Sequence, residues 1–247
     1  MIGPPLGALI VAQSYDALFL VDGLMTLAVR FAVAPLLPRD EPHLGAGREG
    51  PSLWQALRAD RGLRALLPAV VLVDLVYRQL YTTLPIHLRD EGQPVALYTA
   101  LVAIGSGLIL ALEIPVALRL RRFSSYPIIA AGYGLVGLGF ALFGLPVSAA
   151  TAVLAMVVLT AGEILYKTTA TAHVLDAAPD HLVGQYQGLY TGAATSGTML
   201  AAPIGTAVYA VAPGLLWPAC GVVSLLAASM VLSSRRFAPR DITPVEV

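Results

Sequence analysis

Apolar residues run through this chain in blocks of about 20, separated by short clusters of charge, proline and glycine. A helix of about 20 such residues crosses the roughly 30 Å hydrocarbon core of a bilayer, so blocks of that length read as transmembrane helices. The pattern predicts seven full spans, near 16–37, 63–88, 94–118, 126–144, 148–173, 185–210 and 213–234. An apolar piece at 1–12 is too brief to span alone. The breaks fall at Pro38 to Asp40, Arg89 to Pro94, Arg119 to Ser125, Pro146, Ala177 to Gly184, and Pro213–Gly214. Only 38–62 forms a long connection. Within it Leu53, Trp54 and Leu57 share one face, with Arg58 and Arg61 nearby, which predicts a short amphipathic helix lying on the membrane. The expected fold is therefore all-α: a polytopic membrane bundle of seven full helices preceded by a half-helix.

Composition removes the soluble alternative. The chain is 57% hydrophobic and 12% charged, against about 25% charged residues in soluble domains. So few ionic groups cannot build a water-facing surface, and lipid is the main solvent and partner. A net charge of zero argues against a nucleic-acid partner. The single cysteine, Cys220, excludes an internal disulfide and a Cys-based zinc site. His43, His87, His173 and His181 show no metal-ligand spacing, and no cofactor is implied. No Lys or Arg precedes the first apolar run, so it is not a signal peptide. One set of connections carries Arg39, Arg48, Arg58, Arg61, Arg64, Arg119, Arg121, Arg122, Arg235, Arg236 and Arg240; the opposite set carries only Arg89. Positive residues stay inside, so the first set and the C-terminus are expected in the cytoplasm, in a protein of the cytoplasmic (inner) membrane. The loop 174–184 shares that side without carrying Lys or Arg.

A repeat organises the chain. Offset by 198 residues, MIGPPLGALIVAQSYDALFLVDG lies without gaps over MLAAPIGTAVYAVAPGLLWPACG. Met1, Pro5, Gly7, Ala12, Leu18 and Gly23 meet Met199, Pro203, Gly205, Ala210, Leu216 and Gly221. The later copy has a whole helix before its Pro-x-Gly, starting near Gln185; the same offset starts the first copy before Met1. A repeat of this period, with six spans per period, implies two similar six-helix halves. The expected division is a remnant of the first half at 1–37, a cytoplasmic linker with the amphipathic helix at 38–62, a complete six-helix bundle at 63–234 and a tail at 235–247, as in a truncated permease.

This architecture resembles the major facilitator superfamily, in which two six-helix bundles are joined by a long cytoplasmic linker. GPPLGALI, with Gly3, Pro4, Pro5 and Gly7, is similar to the Gly-Pro-rich fifth-helix signature of its drug/proton antiporters. GEILYKTTATAHVLDAAPDHLVGQYQG resembles its tenth helix, short loop and eleventh-helix start, through Gly162, Glu163, Pro179, Gly184 and Gly188. Two features depart from the family. ALRLRRFSSYP keeps Arg119, Arg121 and Arg122 but lacks the Gly and Asp of the usual loop motif, and Val183-Gly184 stands where Arg-Gly is common. The proline–glycine segments, with Pro203 and Gly205 in the later copy, also fit ordinary kinked packing helices. The clusters Gly132, Gly134, Gly137, Gly139 and Gly192, Ser196, Gly197 suit close helix packing better than ligand contact.

Ionisable residues inside the spans carry the candidate chemistry. Asp74, Tyr77, Arg78 and Tyr81 fall at i, i+3, i+4 and i+7, on one helical face. Glu163, Tyr166, Lys167, Thr171 and His173 form a looser stripe. Each charge at the bilayer centre costs about 3 kcal/mol, whereas an exposed i,i+4 pair returns about 0.2–0.5 kcal/mol. These groups must then face a hydrated cavity or pair inside the bundle. Glu163 is the first candidate for proton or substrate coupling and Asp74 the second, with Arg78 and Lys167 as counter-charges or ligands for an anionic substrate. Static Asp74–Arg78 and Glu163–Lys167 pairs fit the same spacing. Tyr77, Tyr81, Tyr166 and Tyr190 suit an aromatic or cationic substrate, or plain packing. Asp22 and Arg30 are further buried candidates, and Glu113 is expected to pair with the basic loop at Arg119–Arg122.

The function that follows is secondary transport of a small molecule by alternating access, in the form of proton-coupled efflux. An intramembrane enzyme is the first alternative, but G-x-S-x-G, H-E-x-x-H and paired catalytic aspartates are all missing from the sequence, so no catalytic residue is assigned. A receptor or assembly protein on the same bundle is the second.

Overall fold

The computed structural model describes residues 15–33 and 53–234, which fall into two units dividing near Gly50. In the first unit, α1 runs over Tyr15–Val33. The Pro-x-Gly half-helix at 1–12, the linker before Leu53 and the tail lie outside the described residues, so the superposition that the repeat predicts does not arise here.

All regular elements described in the second unit are helices. A short α2, Leu53–Ala59, stands where the amphipathic helix was expected. Its Leu53 and Leu57 pack against the core, while Trp54 stays exposed under the Arg58 guanidinium, 5.9 Å from the ring centroid. Asp60 then caps α3, Arg61–Tyr77, by accepting from the Leu63 amide at 2.9 Å.

The span expected over 63–88 is not one helix. It breaks at Arg78 and Thr83 into α3, α4 (Gln79–Thr82) and α5 (Leu84–Asp90). Side chains compete for the backbone here. Thr82 Oγ1 donates to the Arg78 carbonyl, Thr83 Oγ1 to the Gln79 carbonyl and Gln79 Nε2 to the Leu75 carbonyl. Such back-bonding bends helices. Pro85 also lacks the N–H that would bond the Tyr81 carbonyl. At the far end Gly92, with φ +69°, closes the turn into the next helix.

The remaining helices match the apolar blocks closely: α6 is Val95–Leu120, α7 Ser125–Leu142, α8 Ala149–Ala177, α9 Val183–Val211 and α10 Pro213–Ser234. Of the described helices, α6, α7, α8 and α10 are long and apolar enough to cross a membrane. α9 has the length, but its Gln, Thr, Ser and Gly content dilutes its hydropathy. A reciprocal Ser148–Thr151 capping box starts α8.

Glycine sets the packing. α7 lies against α8 and α10, α9 and α10 both lie against α3, and α6 rests on α8. A Cβ on Gly162 would sit 2.6 Å from the Gly132 carbonyl and 2.7 Å from the Val136 nitrogen. A Cβ on Gly139 would sit 2.8 Å from the Leu159 nitrogen. The α7 and α8 backbones therefore touch, as small residues allow. Gly137 meets Ser224 of α10, and Gly197 meets Val71 and Asp74 of α3. Gly134 and Gly192 have nothing within 4 Å, so not every glycine of the two clusters packs.

Candidate functional site

The α7–α8 contact fixes the rotation of α8, and Glu163 follows Gly162 directly. Its side chain consequently points at α3 and is 6% exposed. There Tyr77 Oη donates to Glu163 Oε1 at 2.7 Å, and Lys167 Nζ binds the same oxygen at 2.6 Å. The Lys167 ammonium also sits 4.5 Å from the Tyr77 ring centroid, so the tyrosine serves both charges, one through its hydroxyl and one through its face. The pair is half open, because the Lys167 side chain is 47% exposed. Tyr81, also 47% exposed, extends the opening, with its hydroxyl 3.5 Å from that of Tyr77.

Magnitudes show what this arrangement does. An i,i+4 Glu–Lys pair is worth only about 0.2–0.5 kcal/mol on an exposed helix. A carboxylate buried without a partner costs several kcal/mol. Lys167 and Tyr77 therefore permit Glu163 to sit inside the bundle more than they strengthen the helix.

Asp74, one turn before Arg78 on α3, is 8% exposed and makes no ion pair. Described ion pairs are limited to Arg89–Asp90 and Lys167–Glu163, so the pairing of Asp74 with Arg78 that their spacing allowed does not form. Arg78 Nε instead donates to Thr198 Oγ1 on α9 at 3.0 Å, tying α3 to α9 beside the Gly197 contact. Asp74 stays within electrostatic reach of Lys167, Arg78 and Glu163 without pairing, and also acts on Tyr133, Tyr166 and Tyr190. The hydroxyls of Tyr133 and Tyr166 are buried without a protein partner, and their rings meet edge to face at 5.1 Å.

The other candidates separate from this centre. Tyr166 packs on Tyr133 rather than lining an opening. His173 stacks edge-on against Tyr126 of α7 at 4.7 Å, nearly three turns from Glu163 along α8. Glu113 makes no ion pair with Arg119, Arg121 or Arg122, contrary to expectation. Two cavities lie at the basic end of the unit. One of about 620 Å³ is lined by Arg119 and Arg122, and one of about 320 Å³ by Arg121, Thr168 and Asp176. Gly3, Pro4, Pro5 and Gly7 lie outside the described residues, as does the side chain of Asp22. Pro203 sits inside an unbroken α9, and Gly205 gives room to the Gln79 side chain.

Gln79 belongs to the site's frame and escaped the sequence reading. It is buried, donates to the Ala201 carbonyl at 2.9 Å and accepts from Thr83 Oγ1 at 2.6 Å. A glutamine followed at i+3 and i+4 by threonines, ahead of Pro85 and inside an apolar block, is the signal that marks such a break. Thr198 offered no comparable signal, because single threonines in apolar helices are common.

A family model described as Major Facilitator Superfamily matches residues 1–202. No individual curated protein matches the chain significantly.

Proposed function

This chain belongs to the major facilitator superfamily, and we propose on that premise that it moves its substrate by alternating access, coupled to protons and directed outward. It is an integral membrane protein of a family of transporters, not enzymes. The observation that carries the finer reading is the Glu163–Lys167–Tyr77 cluster. It is a carboxylate buried in an apolar bundle, compensated on one oxygen by Tyr77 and by Lys167, whose own side chain is half-exposed. A group placed so can exchange its proton with solvent while its partners change. The discontinuity at Arg78–Thr83 lies beside it, and broken helices at this depth are where transporters place substrate and ion sites.

Exposed Tyr81 and the Tyr77 ring next to a carboxylate suit an aromatic cation, with Lys167 as the charge that such a cation displaces from Glu163. The arginine asymmetry orients the protein with Arg119–Arg122 and the C-terminus in the cytoplasm of an inner membrane.

The test is transport of ethidium by the reconstituted chain under an imposed pH gradient. Wild type should accumulate ethidium uphill. Glu163→Gln should lose accumulation and keep downhill equilibration, since Gln preserves volume and removes only titration. Uphill transport by Glu163→Gln equal to wild type would overturn the coupling role. Absence of ethidium movement in either direction would overturn the aromatic-cation class.

A further inference from the structure

A second polar network lies at the opposite end of the bundle from Arg119–Arg122, where α5, α7, α9 and α10 converge. His87 of α5 is buried there against Trp217 of α10, with ring centroids 4.7 Å apart. Its Nε2 is 3.1 Å from the Phe143 carbonyl at the end of α7. Its Nδ1 is 3.2 Å from Tyr209 Oη on α9. Tyr209 Oη is in turn 3.3 Å from Asp90 Oδ2. The second oxygen of Asp90 is held by the Arg89 guanidinium, at 2.9 Å. Glu91, the next residue, also acts on Tyr209. From α7 and α10 the groups facing His87 are the Phe143 carbonyl and the Trp217 ring.

Counting protons shows what this network needs. The Phe143 carbonyl only accepts, so Nε2 must carry a hydrogen. With a neutral ring, Nδ1 is then an acceptor, and so is the Asp90 carboxylate. Tyr209 has one hydroxyl hydrogen and can serve only one of them. The other contact is left with lone pairs facing each other. The opposite tautomer merely moves that conflict to Nε2 and Phe143. One additional proton completes all three bonds: Nε2–H to Phe143, Nδ1–H to Tyr209, and Tyr209 O–H to Asp90. That proton can sit on the imidazole or on Asp90. The Arg89 guanidinium lies against Asp90, and the carbonyl end of α7 favours a cation beside it, so the imidazole is its place.

We propose that His87 is a proton-binding site, and that its imidazolium, through Tyr209 and Asp90, fastens α5 to α9 and to the end of α7. Loss of the proton opens one link of the chain and frees the short α5 segment, which the breaks at Arg78 and Thr83 already separate from α3. The site is distinct from the Glu163 cluster and does not depend on that cluster's role in coupling.

The experiment uses the whole chain in detergent. Between pH 8 and pH 5.5 wild type should gain about 2–4 °C in unfolding temperature relative to His87→Gln and to Tyr209→Phe, for a link of this size. The comparison cancels the other titrating groups, His173 among them, which all three proteins share. A variant keeping His87 as the one histidine, with His43, His173 and His181 replaced by Gln, gives a single side-chain nitrogen spectrum. It should show both ring nitrogens protonated at pH 5.5 and a neutral ring at pH 8. A neutral ring at pH 5.5 overturns the proposal even if His87→Gln fails to fold. An undiminished pH difference in a folded His87→Gln overturns it as well. Neither readout involves transport, so failure here is distinguishable from failure of the coupling role of Glu163.

Discussion

Glu163 and Asp74 are the same chemical group at nearly the same burial, 6% and 8% exposed, yet their surroundings are opposite. Glu163 has an ammonium and a phenol on one oxygen, and the ammonium belongs to a half-exposed lysine. Asp74 has Lys167 and Arg78 within electrostatic reach but no ion pair to either, and it acts on tyrosines, two of whose hydroxyls lack protein partners. The difference arises in the backbone. α8 is turned by its glycine contact with α7 so that Glu163 and Lys167 both reach α3. On α3 the helix ends at Arg78, and the guanidinium swings to Thr198 instead of returning to Asp74. The i,i+4 spacing is common to both pairs, and both turns are helical, since the Arg78 amide still bonds the Asp74 carbonyl at 3.0 Å. Spacing proposes a pair, and the third-party partner that Arg78 finds in Thr198 decides it.

The strongest way to break this comparison is to turn α8. Gly162→Val places a branched side chain where a Cβ already meets the Gly132 carbonyl at 2.6 Å, and neither backbone can retreat alone. Overpacking of this kind costs typically 1–3 kcal/mol, and this contact belongs at about 3 kcal/mol. Thermal unfolding in detergent should show a large drop. Glu163 should lose Tyr77 at the same time, so transport should fall even at temperatures where the variant stays folded. A Gly162→Val protein as stable as wild type would mean that the glycine contact does not set the rotation.

A smaller effect is expected from Lys167→Met, which keeps the stem and removes the charge. Breaking a buried pair on one side costs about 3–5 kcal/mol. Here half-exposure of Lys167 lets water replace part of its work, and about 1–2 kcal/mol is expected. Glu163→Gln combined with Lys167→Met should recover most of the loss, because no uncompensated carboxylate remains. A double variant as unstable as Lys167→Met alone would show that the lysine acts through packing.

The apolar blocks made the helices legible because a membrane span needs little besides length and hydropathy. α6, α7, α8 and α10 end within a few residues of their expected limits. α3 to α5 was less legible: its interruption depends on Gln79, Thr82 and Thr83 reaching carbonyls, which a hydropathy block averages away. Of the site, helical spacing put Tyr77 on one stripe and Glu163 with Lys167 on another, but the bond that joins the two stripes, from Tyr77 to Glu163 across 86 residues, had no local trace. The choice of Thr198 by Arg78, and the His87–Tyr209 link across 122 residues, are products of tertiary packing with no local trace.

The smallest stability effect, and the sharpest contrast with Lys167→Met, belongs to Asp74→Asn. Asparagine is nearly isosteric with aspartate, so the Gly197 contact at its Cβ stays intact. No ion pair is lost, because none is made. The new amide brings two donors to a region where the Tyr133 and Tyr166 hydroxyls lack partners, and it retains a carbonyl that accepts. The unfolding free energy should therefore stay within about 0.5 kcal/mol of wild type, the range of substitutions that break no contact. Arg78 should remain on Thr198, whose hydroxyl already takes its Nε at 3.0 Å while Asp74 lies beyond ion-pair distance. Adding Thr198→Val tests this directly. It should cost the same in the wild-type and Asp74→Asn backgrounds, because residues without a shared partner contribute additively. If Thr198→Val costs less in wild type than in Asp74→Asn, then Arg78 falls back on Asp74 when its tie to α9 is cut, and the two carboxylates differ in degree rather than in kind.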